Sequence, residues 1–333
     1  SVPYDSLIRK KLVEDITDSV EEPLSSFGED ASLADKMFSQ YNAEVLRDGK
    51  YYAVPYNIGN YGIVYNVDLF EAENLYYGEN GDFVKSKDEK RGTGPDGMPD
   101  TYDDGLPRTY DELYKLCDKM LEKGITPFVW TGKFADYENQ MLYGVATDVL
   151  GAQTMKNCYA LDANLKVIAS ADDITADGVK YTDVTITNRN GYRFFLNEGT
   201  YTGLTVMKKL VSSNYATESS YNKNYTHLDS EKDFLFGGYT IQNVTYPKIG
   251  MMVNGSWWYN EADSYFKMLV ENAGESAGRT ARRFGMMPFP KTNLDKLGKS
   301  SVKDSQKSMI MVSSKAGDAQ KKAACEFIRF LHT

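Results

Sequence analysis

No run of eighteen apolar residues occurs anywhere in this chain of 333, so no segment has the length and composition of a membrane-spanning helix. Cysteine is scarce. Cys117, Cys158 and Cys325 form no C-x-x-C pair, and an odd number leaves one thiol unpaired, which excludes a disulfide framework. Cys117 and Cys325 fall on apolar helix faces, where a free cysteine behaves as a small hydrophobe. The two histidines, His227 and His332, are far apart and give no metal-ligand spacing. An excess of positive charge is also missing. Net charge is −9, whereas a nucleic-acid binder carries a basic face that displaces counterions. The local basic clusters, Arg279 with Arg282 and Arg283 and Lys321 with Lys322, read as solvated faces, so no nucleic-acid partner is expected.

Catalytic signatures are lacking too. There is no G-x-S-x-G, no Walker loop and no H-E-x-x-H. Gly92-Thr93-Gly94-Pro95-Asp96-Gly97 spells G-x-G-x-x-G, but it follows no strand and opens no helix, and the aspartates beside it would repel a pyrophosphate. Asn224, Asn243 and Asn254 head N-x-S/T triplets, which carry meaning only in a eukaryotic secretory path. No Asp or Glu stands at the end of a confident strand. Tyr56, Asn57, Trp130 and Trp257 stand there instead, side chains that stack and hydrogen-bond but supply no acid, base or nucleophile. No enzymatic activity is expected. A glycan-active enzyme, with paired carboxylates, stays as an alternative.

Tyrosine, by contrast, is abundant, with 25 residues that each join a flat apolar ring to a polar tip. The stretch Ile249 to Tyr259, IGMMVNGSWWY, holds two of the three tryptophans. Ile249, Met251, Met252 and Val253 read as a buried strand, Asn254-Gly255 as a turn, and Ser256 as a helix N-cap. That order puts indoles at the carboxyl end of a strand, where open α/β sheets seat ligands. A tryptophan is more often core than ligand platform, but this position favours contact for at least one of the two.

Elsewhere helices and strands alternate, the pattern of a mostly parallel α/β sheet. Short helical pieces are expected over 5–11 and 29–38, a hairpin turn at Asp48-Gly49, and strands over 51–55 and 62–65 around an exposed loop, 56–61. Thr109 caps a helix over 109–120, with Glu112 completing a capping box and Gly124 ending it. A strand over 125–130, a helix over 138–150 stopped by Gly151, a β excursion over 158–188 and a helix over 203–211 follow. Further strands are expected over 284–290 and 308–312, and a last helix over 318–331 that buries Ala323, Ala324, Phe327 and Leu331.

Residues 77–108 form a turn-rich insertion that carries Asp96, Asp100, Asp103 and Asp104. Four carboxylates in nine residues repel one another unless neutralised, and calcium, with six to eight oxygen ligands, suits them. The D-G-x-P-D-x-x-D spacing resembles the second half of thrombospondin type 3 and related bacterial calcium repeats. It departs from an EF-hand, because Gly92 and Gly94 stand where acidic ligands belong. A structural Ca2+ held by these four aspartates is the expectation; a solvated acidic loop is the alternative.

The order GKYYAVPYN, YGIVYNVDLF, LPRTYDELYKLCDKM, ITPFVW, IGMMVNGSWW, FGMMPFP and SMIMVSSKAGDAQKKAACEFIRFL resembles extracellular solute-binding proteins of family 1. These are the carbohydrate-binding receptors of ABC importers, similar in plan to maltodextrin-binding protein. The resemblance implies an α/β, two-lobed, periplasmic-binding-protein-like (type II) fold that closes by a hinge. The first lobe would comprise 1–64 and 285–312, its N-terminal part missing, and the second 65–284 and 313–333. Crossings would fall near Val64-Tyr65, Phe284-Gly285 and Val312. The family tryptophan corresponds to Trp257, with Trp258 beside it, and the family's P-Y-x-x-x-x-x-G loop to Tyr56, Asn57 and Tyr61. Trp130 and Tyr137 would face the ligand from the second lobe. A sugar offers a C–H face to aromatic rings and a hydroxyl rim to polar groups, for which Asn57, Asn60, Glu138 and Asn139 are candidates. The implied protein is a monomeric sugar receptor that serves the permease subunits of an ABC transporter, with a receptor for another solute, such as a peptide or polyol, as the alternative. It would sit lipid-anchored on the extracellular face of a bacterial membrane or in the periplasm. Both ends of the chain read as trimmed, so a targeting segment is expected outside it.

Overall fold

The computed structural model describes residues 4–298 and 303–333. The fold is mixed α/β, and the chain divides into two compact units, Ser1–Gly59 with Asp304–Thr333, and Asn60–Lys303.

The larger unit is built on the strand Ile249–Gly255, in which all seven residues are buried. It runs antiparallel to the strand Val54–Asn66, with Met251 opposite Tyr65 and Gly255 opposite Tyr61. On its other side it is parallel to Thr126–Val129, with Ile249 opposite Thr126. Phe284–Met287 pairs antiparallel with the far edge of Val54–Asn66. Successive side chains of a strand point to opposite faces, so a sheet covered on both sides needs apolar residues at every position. Ile63, Tyr65, Phe128, Met251 and Val253 pack into one core with Leu113, Leu116 and Met120 of the helix Tyr110–Glu122. Val64, Val129 and Met252 pack into the other with Phe234, Trp258 and Phe266.

Several local expectations are corrected. Residues 56–61 are not a loop, because the strand Val54–Asn66 runs straight through them. Gly62, just past those residues, serves the strand packing: a Cβ there would lie 2.8 Å from Met286 Cγ. Glu112 does not complete a capping box. Thr109 Oγ1 accepts from Glu112 N at 3.3 Å, but the Glu112 carboxylate takes the Arg108 backbone N–H at 2.7 Å and the Arg108 guanidinium. The helix does end where Gly124 adopts φ 70°, a left-handed conformation that glycine enters without strain. The β excursion contains the hairpin Ala163–Val167 with Thr182–Ile186, over its own small core of Leu165, Val167, Ile186 and Phe194. The insertion 77–108 is packed rather than open: Tyr77 stacks on Phe83 with centroids 4.5 Å apart and donates to the Glu112 carbonyl at 2.7 Å.

In the smaller unit, Asp48-Gly49 turns the hairpin Leu46–Arg47 with Lys50–Tyr51, both turn residues having positive φ as a type I′ turn requires. Ile16, Val20, Leu24, Leu33, Val45 and Val54 form its core together with Val312 and Ile328. The last helix, Asp318–Phe330, buries Ile328 and Arg329; Phe327 is 58% exposed, Ala323 is exposed, and Ala324 and Leu331 are only partly covered. Arg329 sets this rotation. Its guanidinium donates to the carbonyls of Ser19, Glu22 and Pro23. Ile328 and Arg329 thus place 313–333 with residues 1–59, whereas the expected lobe division grouped 313–333 with 65–284. Residues 285–303 likewise group with the larger unit, because Met286 and Met287 pair with Val64 and Ile63.

Arg329→Leu removes the guanidinium that donates to the carbonyls of Ser19, Glu22 and Pro23. It should destabilise the protein by about 3 kcal/mol, a typical value for lost charge-assisted hydrogen bonds. A fall in the urea midpoint of the transition reported by the smaller unit checks this.

Candidate functional site

Asn254 is the last side chain buried within the central strand before it ends. Its Nδ2 donates to Glu231 Oε1 at 3.0 Å, and its Oδ1 accepts from Gly255 N at 2.7 Å. The expected turn at Asn254-Gly255 is therefore strand, and the chain turns at Ser256. Ser256 is not a helix cap either. Its N–H donates to the Asn60 carbonyl at 2.8 Å and its Oγ accepts from Asn60 N at 3.2 Å, which extends the strand pairing by one residue. The short helix Trp258–Glu261 starts without a side-chain cap.

This turn sends the two tryptophans opposite ways. Trp258 is 4% exposed and packs edge-on to Phe234 at 5.8 Å and Phe284 at 5.2 Å. That is a core position, and the expectation of a ligand-facing Trp258 fails on its burial. Trp257 stays half-buried. Its indole folds back over Gly255, where a Cβ would lie 1.9 Å from the ring, so only glycine leaves the space. Tyr61 meets it edge-on at 4.7 Å and Tyr137 at 6.2 Å, and Tyr61 meets Tyr137 at 6.0 Å. Three of the expected residues thus form one cluster of half-buried rings. Burial pushes the Tyr137 phenol up to about 12, opposed by a hydrogen bond from Trp257.

The other expected residues are distributed differently. Trp130 is 5% exposed and belongs to the core beside Phe128, its backbone N–H donating to Ser220 Oγ at 3.1 Å; burial rules out the open ring face expected of it. Asn60 is half-buried and meets the turn through its backbone. Asn139 is exposed, one turn from Asp136 at the start of the helix Asp136–Leu150. Tyr56, 51% exposed, and Asn57, exposed, lie in the smaller unit. Glu138 is half-buried, its Oε1 without a hydrogen-bond partner, and burial followed by the neighbouring Asp136 raises its carboxyl to about 8.

Two contributors escape the sequence reading. His227 stacks on Tyr137 at 6.1 Å and 15° and lies 5.5 Å from Phe134. Glu231 is fully buried beneath Asn254, and burial raises its carboxyl far above the usual range, with the Glu261 carboxyl beside it adding to the rise. Both sit on the helix His227–Phe236. Its start is signalled by Thr226-x-x-Asp229, a reciprocal cap in which Asp229 N donates to Thr226 Oγ1 at 3.2 Å and Thr226 N to Asp229 Oδ2 at 2.9 Å.

In the acidic insertion Asp103 is fully buried and Asp96 nearly so. Asp103 accepts from Asp96 N at 3.1 Å and Thr101 Oγ1 at 2.8 Å, and Asp104 from Asp100 N at 2.8 Å. Burial raises the Asp103 carboxyl, partly opposed by those bonds. Among the described residues no three His, Cys, Asp or Glu side chains converge as a metal site.

Residues 3–333 match the family described as bacterial extracellular solute-binding protein, and the chain belongs to that family. Among solved structures it is similar to a chitin oligosaccharide binding protein, with 18% identity and a TM-score of 0.60 over 99% of this chain and 59% of that one. It is also similar to RafE. The raffinose complex gives 16% identity and 0.59 over 99% and 61% of the two chains, and the apo form from Streptococcus pneumoniae 17% and 0.55 over 99% and 60%. At these identities the likeness establishes the fold, that of the two-lobed type II solute-binding proteins. The chain spans about three-fifths of the length of these structures. No curated protein matches it significantly.

Glu138 makes stability depend on pH. Below about pH 4.5 both the folded and the unfolded chain hold this proton; between there and about pH 8 only the folded state keeps it. The unfolded state gains by ionising, so the Glu138 contribution to stability falls as pH rises through that window and levels off above it. Glu138→Gln should be the more stable protein at pH 8 and lose its advantage at pH 4, as read from denaturant midpoints at the two values.

Proposed function

We propose that this protein is the sugar-binding receptor of an ABC importer, that it catalyses nothing, and that Trp257, Tyr61 and Tyr137 form the wall on which the sugar stacks. The observation that carries this is the half-buried ring cluster held on the turn after a fully buried strand. Aromatic rings cover the C–H face of a sugar, and a few polar groups meet its hydroxyls. Membership of the solute-binding family supports it, as does likeness to structures titled for chitin oligosaccharide binding and for a raffinose complex. Asn57, Asn60, Glu138 and Asn139 are the proposed polar contacts, and Tyr56 is a further proposed contact. The receptor works as a monomer, delivers to the permease subunits, and is held at the extracellular face by a lipid anchor.

A thermal-shift screen over neutral oligosaccharides, raffinose and chitin oligomers included, should raise the melting temperature for at least one, because binding to the folded state stabilises it by mass action. Trp257→Ala should then weaken that sugar at least tenfold, about 1.4 kcal/mol, with the fold intact. Normal affinity in this variant would remove the ring cluster from the site. Release of products on incubation with the bound sugar would make the protein an enzyme.

A structural Ca2+ in the acidic insertion is proposed alongside, with Asp96, Asp100, Asp103 and Asp104 as ligands. Its support is the enclosed Asp103 carboxylate. A buried charge must be paired or neutralised, and Asp103 makes no ion pair among the described residues. A proton or a cation satisfies that need, and calcium would have to draw Asp100 and Asp104 inward. At a hundredfold excess over its dissociation constant the ion adds about 2.7 kcal/mol to stability. Chelator should lower the melting temperature by several degrees in the wild type and leave Asp100→Ala unchanged. Coincident wild-type curves would leave the proton as the answer.

A further inference from the structure

His227 is the first residue of the helix His227–Phe236, and its imidazole lies half-buried against the ring cluster. It stacks on Tyr137 with centroids 6.1 Å apart and planes 15° from parallel, and it meets Phe134 at 5.5 Å and 58°. Tyr137 in turn stands 6.0 Å from Tyr61 and 6.2 Å from Trp257. The histidine therefore adds one ring to the wall, with Phe134, 38% exposed, next in the chain of contacts. The two nitrogens of the imidazole differ in their surroundings. Nδ1, the nearer to the main chain, is enclosed and meets no donor or acceptor among the described residues. Nε2 is not enclosed in this way and bonds to none of them either. The ionisable groups around it are otherwise placed. Asp229 accepts from Thr226 N at 2.9 Å and Thr226 Oγ1 at 2.7 Å. Glu138, next to Tyr137 in the chain, has its own Oε1 enclosed and unpartnered, and Lys133 Nζ lies 5.3 Å from the Phe134 centroid.

We propose that His227 is a ligand-binding residue of the ring site, held as its Nε2–H tautomer so that it offers a saccharide one hydrogen-bond donor at the edge of the stacking wall. This rests on the saccharide reading of the site. A neutral imidazole has one N–H and one bare nitrogen. A proton on Nδ1 would be an enclosed donor with nothing to accept it, which costs the desolvation of that group. The start of a helix is also positive, because its first main-chain N–H groups lack intrahelical partners, and it favours a lone pair over a proton on the nitrogen nearest the main chain. Both effects put the proton on Nε2, the nitrogen within reach of a ligand. The rings can then cover the C–H face of a sugar while Nε2–H meets an oxygen at its rim. A site that hydrogen-bonds a particular hydroxyl rejects analogues without it far more sharply than an apolar wall does. His227 thus sets selectivity where Tyr61, Tyr137 and Trp257 supply contact.

The test has a ligand-free arm and a binding arm. Long-range proton–nitrogen spectra report which imidazole nitrogen carries the proton, and His227→Gln assigns the signals, since His332 is the only other histidine. At pH 8 the His227 signals should show a protonated Nε2 and a bare Nδ1. The opposite pattern, or an even mixture of the two, overturns the proposal before any sugar is added. The binding arm titrates raffinose and chitotetraose by calorimetry into wild type, His227→Phe, His227→Gln and His227→Asn. Phenylalanine keeps a ring to stack on Tyr137 and removes the donor. Glutamine brings an amide N–H to about the place of Nε2, whereas asparagine reaches only that of Nδ1. For whichever saccharide binds the wild type, His227→Phe and His227→Asn should weaken it at least fivefold, and His227→Gln should stay within threefold. Unchanged affinity in His227→Phe, or equal losses in His227→Gln and His227→Asn, overturns the proposal. If neither saccharide binds the wild type, the fault lies with the saccharide reading. The donor then stands with a protonated Nε2 and falls with a protonated Nδ1.

Discussion

Asn254 is buried at the end of a strand covered on both faces, and a buried amide must find partners for its donors and its acceptor. Both demands are met locally: the donor goes to Glu231 and the acceptor to the next backbone N–H. Meeting them ties the strand end to the helix His227–Phe236 and holds Gly255 in pairing register with Tyr61. From that fixed point the chain can turn in few ways. Gly255 has no side chain, Ser256 continues the pairing to Asn60, and the next residue leaves the sheet plane with its indole over Gly255. The ring cluster is therefore a consequence of how a buried strand ends, and Tyr61 joins it because its backbone is paired opposite Gly255.

Much of this is legible from the residues. The continuous apolar run Met251-Met252-Val253 announces a doubly covered strand, and Thr109 and Gly124 bracket their helix because cap and stop act within a few residues of themselves. What escapes depends on partners distant in sequence. The stretch 56–61 has the composition of a loop, yet pairing with Gly255 and Ser256, some two hundred residues away, holds Tyr61 and Asn60 extended. The last helix presents a plausible stripe at Ala323, Ala324 and Phe327, but the three carbonyls around Ser19 and Pro23 draw Arg329 inward and turn the stripe outward. Apolar periodicity cannot report that, because the residue that decides the rotation is charged. Of the expected site, the three rings come together, while Trp130 and Trp258 fill cores.

Burial raises the carboxyls of Glu138, Glu231 and Asp103, as it does that of Asp233, and the first three differ in what answers the cost. Asp103 is met by a backbone N–H and a threonine hydroxyl, in a loop that holds three more carboxylates. Glu138 keeps an oxygen without any partner at the start of its helix, where the helix dipole favours an anion but removal from water does not. Glu231 has one amide and one acid for company. An apolar residue at any of the three would spare the molecule that cost, so stability alone does not explain them. For Glu231 a stated use is at hand, since it also fixes Asn254.

The adjacent tryptophans show how little sequence separates a core residue from a surface one. Consecutive residues on a starting helix point about 100° apart, as 3.6 residues per turn requires. The strand end fixes the direction of the first, and the helix start then fixes that of the second. Trp258 consequently fills the space between Phe234 and Phe284, and its burial anchors the short helix against the core. With that helix anchored, Trp257 cannot swing away from Gly255 without moving its neighbour. A ring that is held at its backbone on both sides loses little conformational freedom when a ligand stacks on it, and lost freedom is a main cost of association. The buried indole thus keeps the half-buried one where it stands.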